Sequence, residues 1–249
     1  MSDVAPYEVL AAGYDVVMSH VDYEEWATYI HTLFQRFSDT EIESVCELGC
    51  GTGSLALELQ PLADYQMVGL DNAPNMIRFA QEKAEWMQVP AQFEVNDFTN
   101  FRLSTPVDAM ILLQDGLNYL LELPQVDELL QCVKKSLKPK GLFVVDQSTP
   151  HNSINNEKYF DDEDGAEGFH YIRRSHYDKE TFLHTTRFEI HYDGQVYKEQ
   201  HVQRAYTKSE MQARFLENGF EILAAFEDMT FKAATDASER IHWILQHPS

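Results

Sequence analysis

Residues 44–55 read Ser44-Val45-Cys46-Glu47-Leu48-Gly49-Cys50-Gly51-Thr52-Gly53-Ser54-Leu55, and this stretch decides the fold. The apolar lead-in ending at Leu48 predicts a strand, and the run from Leu55 to Leu59 predicts a helix. Between them stand three glycines at alternate positions. A strand, a glycine turn and a helix in that order bring bare backbone close to a nucleotide-like ligand, since positions without Cβ atoms allow both a tight bend and a near approach. The spacing is G-x-G-x-G. It differs from the G-x-G-x-x-G of a dinucleotide loop, and no G-x-x-x-x-G-K-[ST] of a P-loop is present.

Downstream, residues 65–71 read as a second parallel strand, and its last residue, Asp71, follows Gly53 by 18 positions. A carboxylate about 20 residues beyond such a loop is placed to accept hydrogen bonds from a ribose diol. Asn72 and Pro74 then open a helix that runs to about residue 87, with the proline near its first turn. Residues 92–98 predict a third strand and its exit, carrying Asn96, Asp97 and Phe98. Residues 107–113 are almost wholly apolar, as suits the centre of a covered parallel sheet. At the carboxyl end of that strand Gln114, Asp115, Asn118 and Tyr119 switch the chain to polar character, where ligands of open α/β sheets bind. A helix over 124–137, a Lys-Pro-Lys-Gly turn and a strand over 142–146 follow. Five strands alternating with helices predict an α/β fold, Rossmann-like and doubly wound.

Upstream, residues 23–37 place Trp26, Ile30, Leu33, Phe34 and Phe37 at helical spacing. Before this helix a short helix and loop carry Tyr7, Tyr14, Asp15, His20 and Tyr23. Beyond residue 150 the character changes. Residues 157–167 are acidic and polar and read as a loop, without the ligand spacing of a calcium loop. Three strand-like runs follow over 169–177, 182–192 and 196–206, with Asp193-Gly194 as a hairpin turn. They predict an antiparallel insert. Thr207-Lys208-Ser209-Glu210 is a capping box for the next helix, which ends at Asn218-Gly219, and strands near 220–223 and 240–245 complete the sheet.

The string from Glu47 to Gly53 closely resembles the cofactor loop of the class I S-adenosylmethionine-dependent methyltransferases of small-molecule type. The L-K-P-x-G turn before residue 142 and the N-G-F at 218–220 resemble turns of the same enzymes, so the resemblance covers residues 45–146 and 208–246. It implies a mainly parallel seven-stranded sheet with the antiparallel insert after the fifth strand. It also implies a helical lid over residues 1–40, a cofactor-binding core over 41–150 and 207–249, and the insert, over 151–206, on the substrate side. S-adenosyl-L-methionine is the implied cofactor. The implied contacts are Glu47, Gly49, Cys50, Gly51, Gly53, Asp71, Asn72, Asn96 and Gln114. Tyr14 would lie near the methionine end of the cofactor, Met76 on the adenine face, Asp97 at the adenine amino group and Phe98 beside the ring. Tyr7, Asn118, Tyr119 and Arg173 are the candidate acceptor contacts.

The reaction expected is in-line transfer of a methyl group to nitrogen or oxygen of a small molecule. A hydroxyl acceptor calls for a general base, and His20 and Asp115 are the candidates. Two other readings stay open here: a nicotinamide-dependent oxidoreductase, which would also use Asp71, and a non-catalytic binder of the same cofactor. The net charge of −22, from 19 basic and 41 acidic residues, opposes partners with phosphate backbones or anionic membranes. Three cysteines without a C-x-x-C pair form neither a disulfide framework nor a zinc site, and no metal is expected. With no signal peptide or long apolar span in the sequence, a cytoplasmic protein acting on a small-molecule acceptor is expected; a homodimer is left open.

Overall fold

Each apolar run takes the conformation its spacing dictates. The computed structural model describes residues 2–248; residues 1 and 249, the outer ends of the expected lid and core, lie outside the described residues. In chain order the elements are β1 (Ser2–Asp3), a 3-10 turn (Leu10–Gly13), α1 (Tyr14–Val17), α2 (Tyr23–Phe37), β2 (Ser44–Leu48), α3 (Ser54–Leu59), β3 (Gln66–Asp71), α4 (Pro74–Met87) and β4 (Ala91–Val95). Then come β5 (Val107–Leu112), a 3-10 turn (Gly116–Tyr119), α5 (Leu123–Ser136), β6 (Leu137–Ser148), α6 (Pro150–Asn156), β7 (Asp162–Ala166), β8 (Phe169–Asp178), β9 (Leu183–Tyr192) and β10 (Gln195–Arg204). The chain closes with α7 (Lys208–Glu217), β11 (Glu221–Glu227) and β12 (Arg240–Gln246).

Seven strands form one sheet in the order β11-β12-β6-β5-β2-β3-β4. All run parallel except β12, which is antiparallel to both neighbours. Side chains alternate across each strand, so both faces of the sheet are apolar. Val45, Ile111 and Val144 face α2, α3 and α4, whereas Cys46, Met110, Phe143 and Trp243 face α5 and α7. This is the doubly wound, mainly parallel arrangement that the strand–helix alternation predicts. The helices start where their caps dictate: Asp22 accepts the Glu25 N–H at 3.0 Å for α2, and Thr207 and Glu210 form the reciprocal box of α7.

The insert is a second sheet in the order β1-β10-β9-β8-β7. Asp193 and Gly194 both lie in the left-handed region (φ 51° and 69°), so the β9–β10 hairpin closes on the two-residue turn that Asp-Gly predicts. Two strands of this sheet were not expected. The acidic segment is only partly a loop: Asp162–Ala166 pairs antiparallel with β8, drawn in by the Asp162–Arg173 ion pair. At the far edge, Ser2 and Asp3 run parallel to Tyr197 and Lys198, which joins the N-terminal segment to the insert. Helix α6, also unforeseen, is capped by Thr149, whose Oγ1 accepts the His151 N–H.

Candidate active site

The loop after β2 crosses over to α3 through three glycines in the left-handed region. At Gly53 (φ 74°) an added Cβ would lie 2.7 Å from Phe93 Cζ, so bare backbone is needed for α3 to close against β4. At Gly51 (φ 54°) it would meet Tyr14 Cε1 at 3.5 Å, on the side where the N-terminal segment covers the loop. Asp71, at the end of β3, holds this turn. Its Oδ2 accepts the Gly51 N–H and its Oδ1 the Ala73 N–H, each at 2.9 Å. Burial pushes its carboxyl up, and those N–H donors pull it back.

A cavity of about 700 Å³ opens at this end of the sheet. Gly49, Gly51, Asp71, Asn72, Met76, Asp97, Phe98 and Gln114 line it. Asp97 spends Oδ1 on the Thr99 N–H and hydroxyl, each at 2.8 Å, and faces the cavity as an exposed turn residue. Four of the other expected cofactor residues do not line it. Glu47 is buried at the end of β2, the Cys50 thiol is buried behind the loop, Gly53 caps α3, and Asn96 gives its N–H to the Asp71 carbonyl at 2.9 Å. Burial pushes the Glu47 carboxyl up to about 8, and its Oε2 has no hydrogen-bond partner. A turn with glycines at alternate positions and two acidic strand ends on one cavity, with an unsatisfied carboxyl buried beneath it, suit a cationic adenosyl ligand of the S-adenosylmethionine kind.

A second, smaller cavity of about 330 Å³ lies between the core and the insert. It shares Tyr7, Tyr14, Gln114 and Tyr119 with the first, so four side chains form one wall between two spaces. Burial pushes all three phenols up and keeps them neutral. His20 lines the smaller cavity as an exposed residue of the N-terminal segment. Asp115 also lines it, with Oδ1 2.8 Å from Arg240 Nη1. Beneath them the buried Asp146 pairs with the same guanidinium and accepts the N–H groups of Gln114 and Asp115 at 2.9 and 3.0 Å. Those bonds hold Gln114 and Asp115 at φ 57° and 63°, a strained conformation for non-glycine residues.

Two of the expected acceptor contacts carry structural bonds. Asn118 donates Nδ2–H to the Ser148 and Arg204 carbonyls at 2.9 and 2.7 Å and accepts the Ser148 N–H at 3.0 Å, tying the turn to β6 and β10. Arg173 is buried and forked onto Asp162, with both bonds at 2.7 Å. Residues that sequence reasoning missed complete the wall. His201 and Glu199 of β10 are buried behind Tyr119 and Tyr7, and His184 of β9 is held between the hydroxyls of Ser153 and Ser175. The sequence signal for Glu199 and His201 is polarity at alternate positions of β10, on the face the hairpin turns inward.

The N-terminal segment is fastened over both cavities. Asp15 accepts the Thr52 hydroxyl at 2.6 Å and pairs with Lys83 at 2.7 Å, while Asn75 donates to the Glu8 carbonyl at 2.6 Å. Among the described residues no cluster of His, Cys, Asp and Glu could hold a metal ion, and no helix is long and apolar enough to cross a membrane.

A family model described as a methyltransferase domain matches residues 45–141, from β2 into the first part of β6. The Bacillus subtilis (strain 168) protein named "Putative methyltransferase YqeM" is 28% identical over 96% of this chain and 96% of its own length. A solved S-adenosylmethionine-dependent methyltransferase from Clostridium acetobutylicum ATCC 824 shares the fold with a TM-score of 0.80, at 18% identity over 94% of this chain and 96% of that one. The S-adenosylmethionine-bound CalS10 from Micromonospora echinaspora, an amino pentose methyltransferase, shares it at 0.71, with 17% identity over 94% and 96%. The glycine loop, the strand order and the matching domain agree in their likeness to the class I S-adenosylmethionine-dependent methyltransferases.

Proposed function

We propose that this protein transfers a methyl group from S-adenosylmethionine to a nitrogen or oxygen atom of a small molecule held in the smaller cavity. The observation that carries this reading is the common wall: a space fitted to an adenosyl ligand and a space roofed by the insert meet at Tyr7, Tyr14, Gln114 and Tyr119. Bound S-adenosylmethionine supplies a methyl group already activated by its sulfonium charge. The chain's task is then placement, since attack needs a nucleophile roughly 3–3.5 Å from the methyl carbon. CalS10 acts on an amino pentose, which favours an acceptor of similar size.

Asp71, Asp97 and the backbone at Gly49 and Gly51 would hold the adenosyl group, with Met76 and Phe98 on its apolar faces. Tyr14 would close over the methionine end, and the unpartnered Oε2 of the buried Glu47 would accept a hydrogen bond from the ammonium group there. Residues 1–40 act as a lid, 41–150 and 207–249 as the cofactor core, and 151–206 as the roof over the acceptor. The acidic surface argues for a small acceptor rather than nucleic acid or an anionic membrane. His20 and Asp115 sit where an acceptor's proton could be taken, with Asp115 restrained by Arg240.

Calorimetry with S-adenosylmethionine and NAD side by side, followed by transfer of a labelled methyl group to a panel of amines and alcohols, tests this reading. Binding of S-adenosylmethionine alone together with label in a small acceptor is the expected result. Preference for NAD, or tight binding with no transfer across the panel, would overturn it.

A further inference from the structure

Two side chains behind the common wall and two of the wall itself form a continuous line. Glu199 is 2% exposed and sits on β10, with its carboxylate between the N-terminal segment and the insert. Its Oε1 accepts the N–H groups of Val9 and Leu10 at 2.7 and 2.8 Å, and its Oε2 accepts the Tyr7 N–H at 2.7 Å. Oε2 also lies 3.2 Å from Nε2 of His201, which is 3% exposed. On the other side of that ring, Nδ1 lies 3.1 Å from the Tyr119 hydroxyl, which in turn contacts the Tyr7 hydroxyl. Phe188 of β9 packs edge-on to the ring, so Tyr7, Tyr119, Phe188 and Glu199 are the groups that face it.

With Glu199 as the acceptor and His201 neutral, the protons of this line run in one direction. A carboxylate that accepts three backbone N–H groups has no proton to give, so the His201 contact must be Nε2–H donating to Glu199. A neutral imidazole protonated at Nε2 is an acceptor at Nδ1, so the Tyr119 O–H points toward it. The Tyr119 oxygen then accepts from Tyr7, and the Tyr7 oxygen keeps a free lone pair on the wall shared by the cavities. Carboxylate, imidazole and hydroxyl in this order form the arrangement by which a buried acid orients a histidine and steadies the imidazolium that forms.

We infer that Glu199, His201, Tyr119 and Tyr7, rather than His20 or Asp115, form a proton relay that removes the acceptor's proton during methyl transfer. As the acceptor atom bonds to the methyl carbon and the carbon–sulfur pair returns to sulfur, the acceptor's proton passes to the Tyr7 oxygen. The Tyr7 proton moves to Tyr119, and the Tyr119 proton moves to Nδ1 of His201. The line ends with two neutral phenols and an imidazolium beside the Glu199 carboxylate. Burial disfavours a lasting phenolate at either tyrosine, so the tyrosines pass the proton on and the histidine keeps it. Tyr7 touches the acceptor; His201 and Glu199 act through it as positioning residues.

This inference rests on the methyl-transfer reading, and its test separates the two. In [15N]histidine-labelled protein the His201 signals are assigned by their loss in His201→Gln. At neutral pH His201 should be the neutral tautomer protonated at Nε2. Tyr119→Phe should shift the Nδ1 resonance, Tyr7→Phe should shift it less, and Glu199→Gln should displace the Nε2–H signal. Calorimetry with S-adenosylhomocysteine should show unchanged affinity in His201→Gln, since that ring lines the smaller cavity and not the larger one. An Nδ1-protonated tautomer, or an Nδ1 signal indifferent to Tyr119→Phe, would overturn the relay whether or not the cofactor binds. Failure of the wild-type protein to bind S-adenosylhomocysteine would overturn the methyl-transfer reading instead.

Discussion

Glu47 is an acid placed where water cannot reach it, and its behaviour with pH follows. Burial holds its carboxyl near 8 in the folded protein, against an ordinary value of 4.5. The folded state therefore keeps a proton that the unfolded chain gives up, so stability falls as pH rises between those values. Glutamine cannot ionise. The stability of Glu47→Gln relative to the wild type, from urea midpoints, should grow across this window by on the order of 2–4 kcal/mol. The glycines make a second contrast at this scale. Gly53→Ala forces a methyl group into Phe93 at a left-handed position and should cost about 2–4 kcal/mol by denaturation. Gly51→Ala meets Tyr14 only at contact distance, so it should cost about 1–2 kcal/mol. Its larger effect should fall on calorimetric affinity for S-adenosylmethionine, reduced tenfold or more. Of the residues at this site, Asp71 and the loop were legible because a local spacing announces them. Glu199 and His201 were not, since they reach Tyr7 across more than 190 residues and no local pattern encodes that meeting.

Among the elements, those whose signal is internal were read correctly. Helix α2 falls where its apolar stripe places it, and the Asp-Gly turn sets the β9–β10 register. The elements that escaped notice draw their stability from elsewhere. Asp162–Ala166 has a sequence poor in strand-forming residues and becomes β7 because β8 offers it an edge and Arg173 a partner. β1 is two residues long and exists only as an addition to β10. Helix α7 tests the local rule directly. Its start depends on the reciprocal Thr207–Glu210 bonds, and Met211 and Phe215 dock it on the sheet. Thr207→Ala should lower stability by about 1 kcal/mol, read as a fall in Tm of roughly 2–4 °C. At the opposite end, Glu199→Ala removes the acceptor of three N–H groups, so hydrogen exchange at Tyr7, Val9 and Leu10 should accelerate well ahead of the core strands.

At the scale of the whole molecule, a net charge of −22 on 249 residues sets the background field. Like charges oppose the compact state and are screened by salt. Raising sodium chloride from about 0.02 M to about 0.5 M should therefore increase Tm by a few degrees in a thermal scan; a fall would mean that exposed pairs such as Arg78–Glu82 outweigh the repulsion. The wall of Tyr7, Tyr14, Gln114 and Tyr119 has a consequence for inhibitor chemistry. Because only side chains separate the two chambers, one molecule could occupy both, with an adenosyl half under the glycine turn and a polar half beneath the roof. Such a tethered compound turns its second contact into an intramolecular one and should outbind either fragment by about 10²–10⁴-fold. Its joining bonds would pass between the tyrosines, so the length of the best tether would measure the gap that a methyl group has to cross.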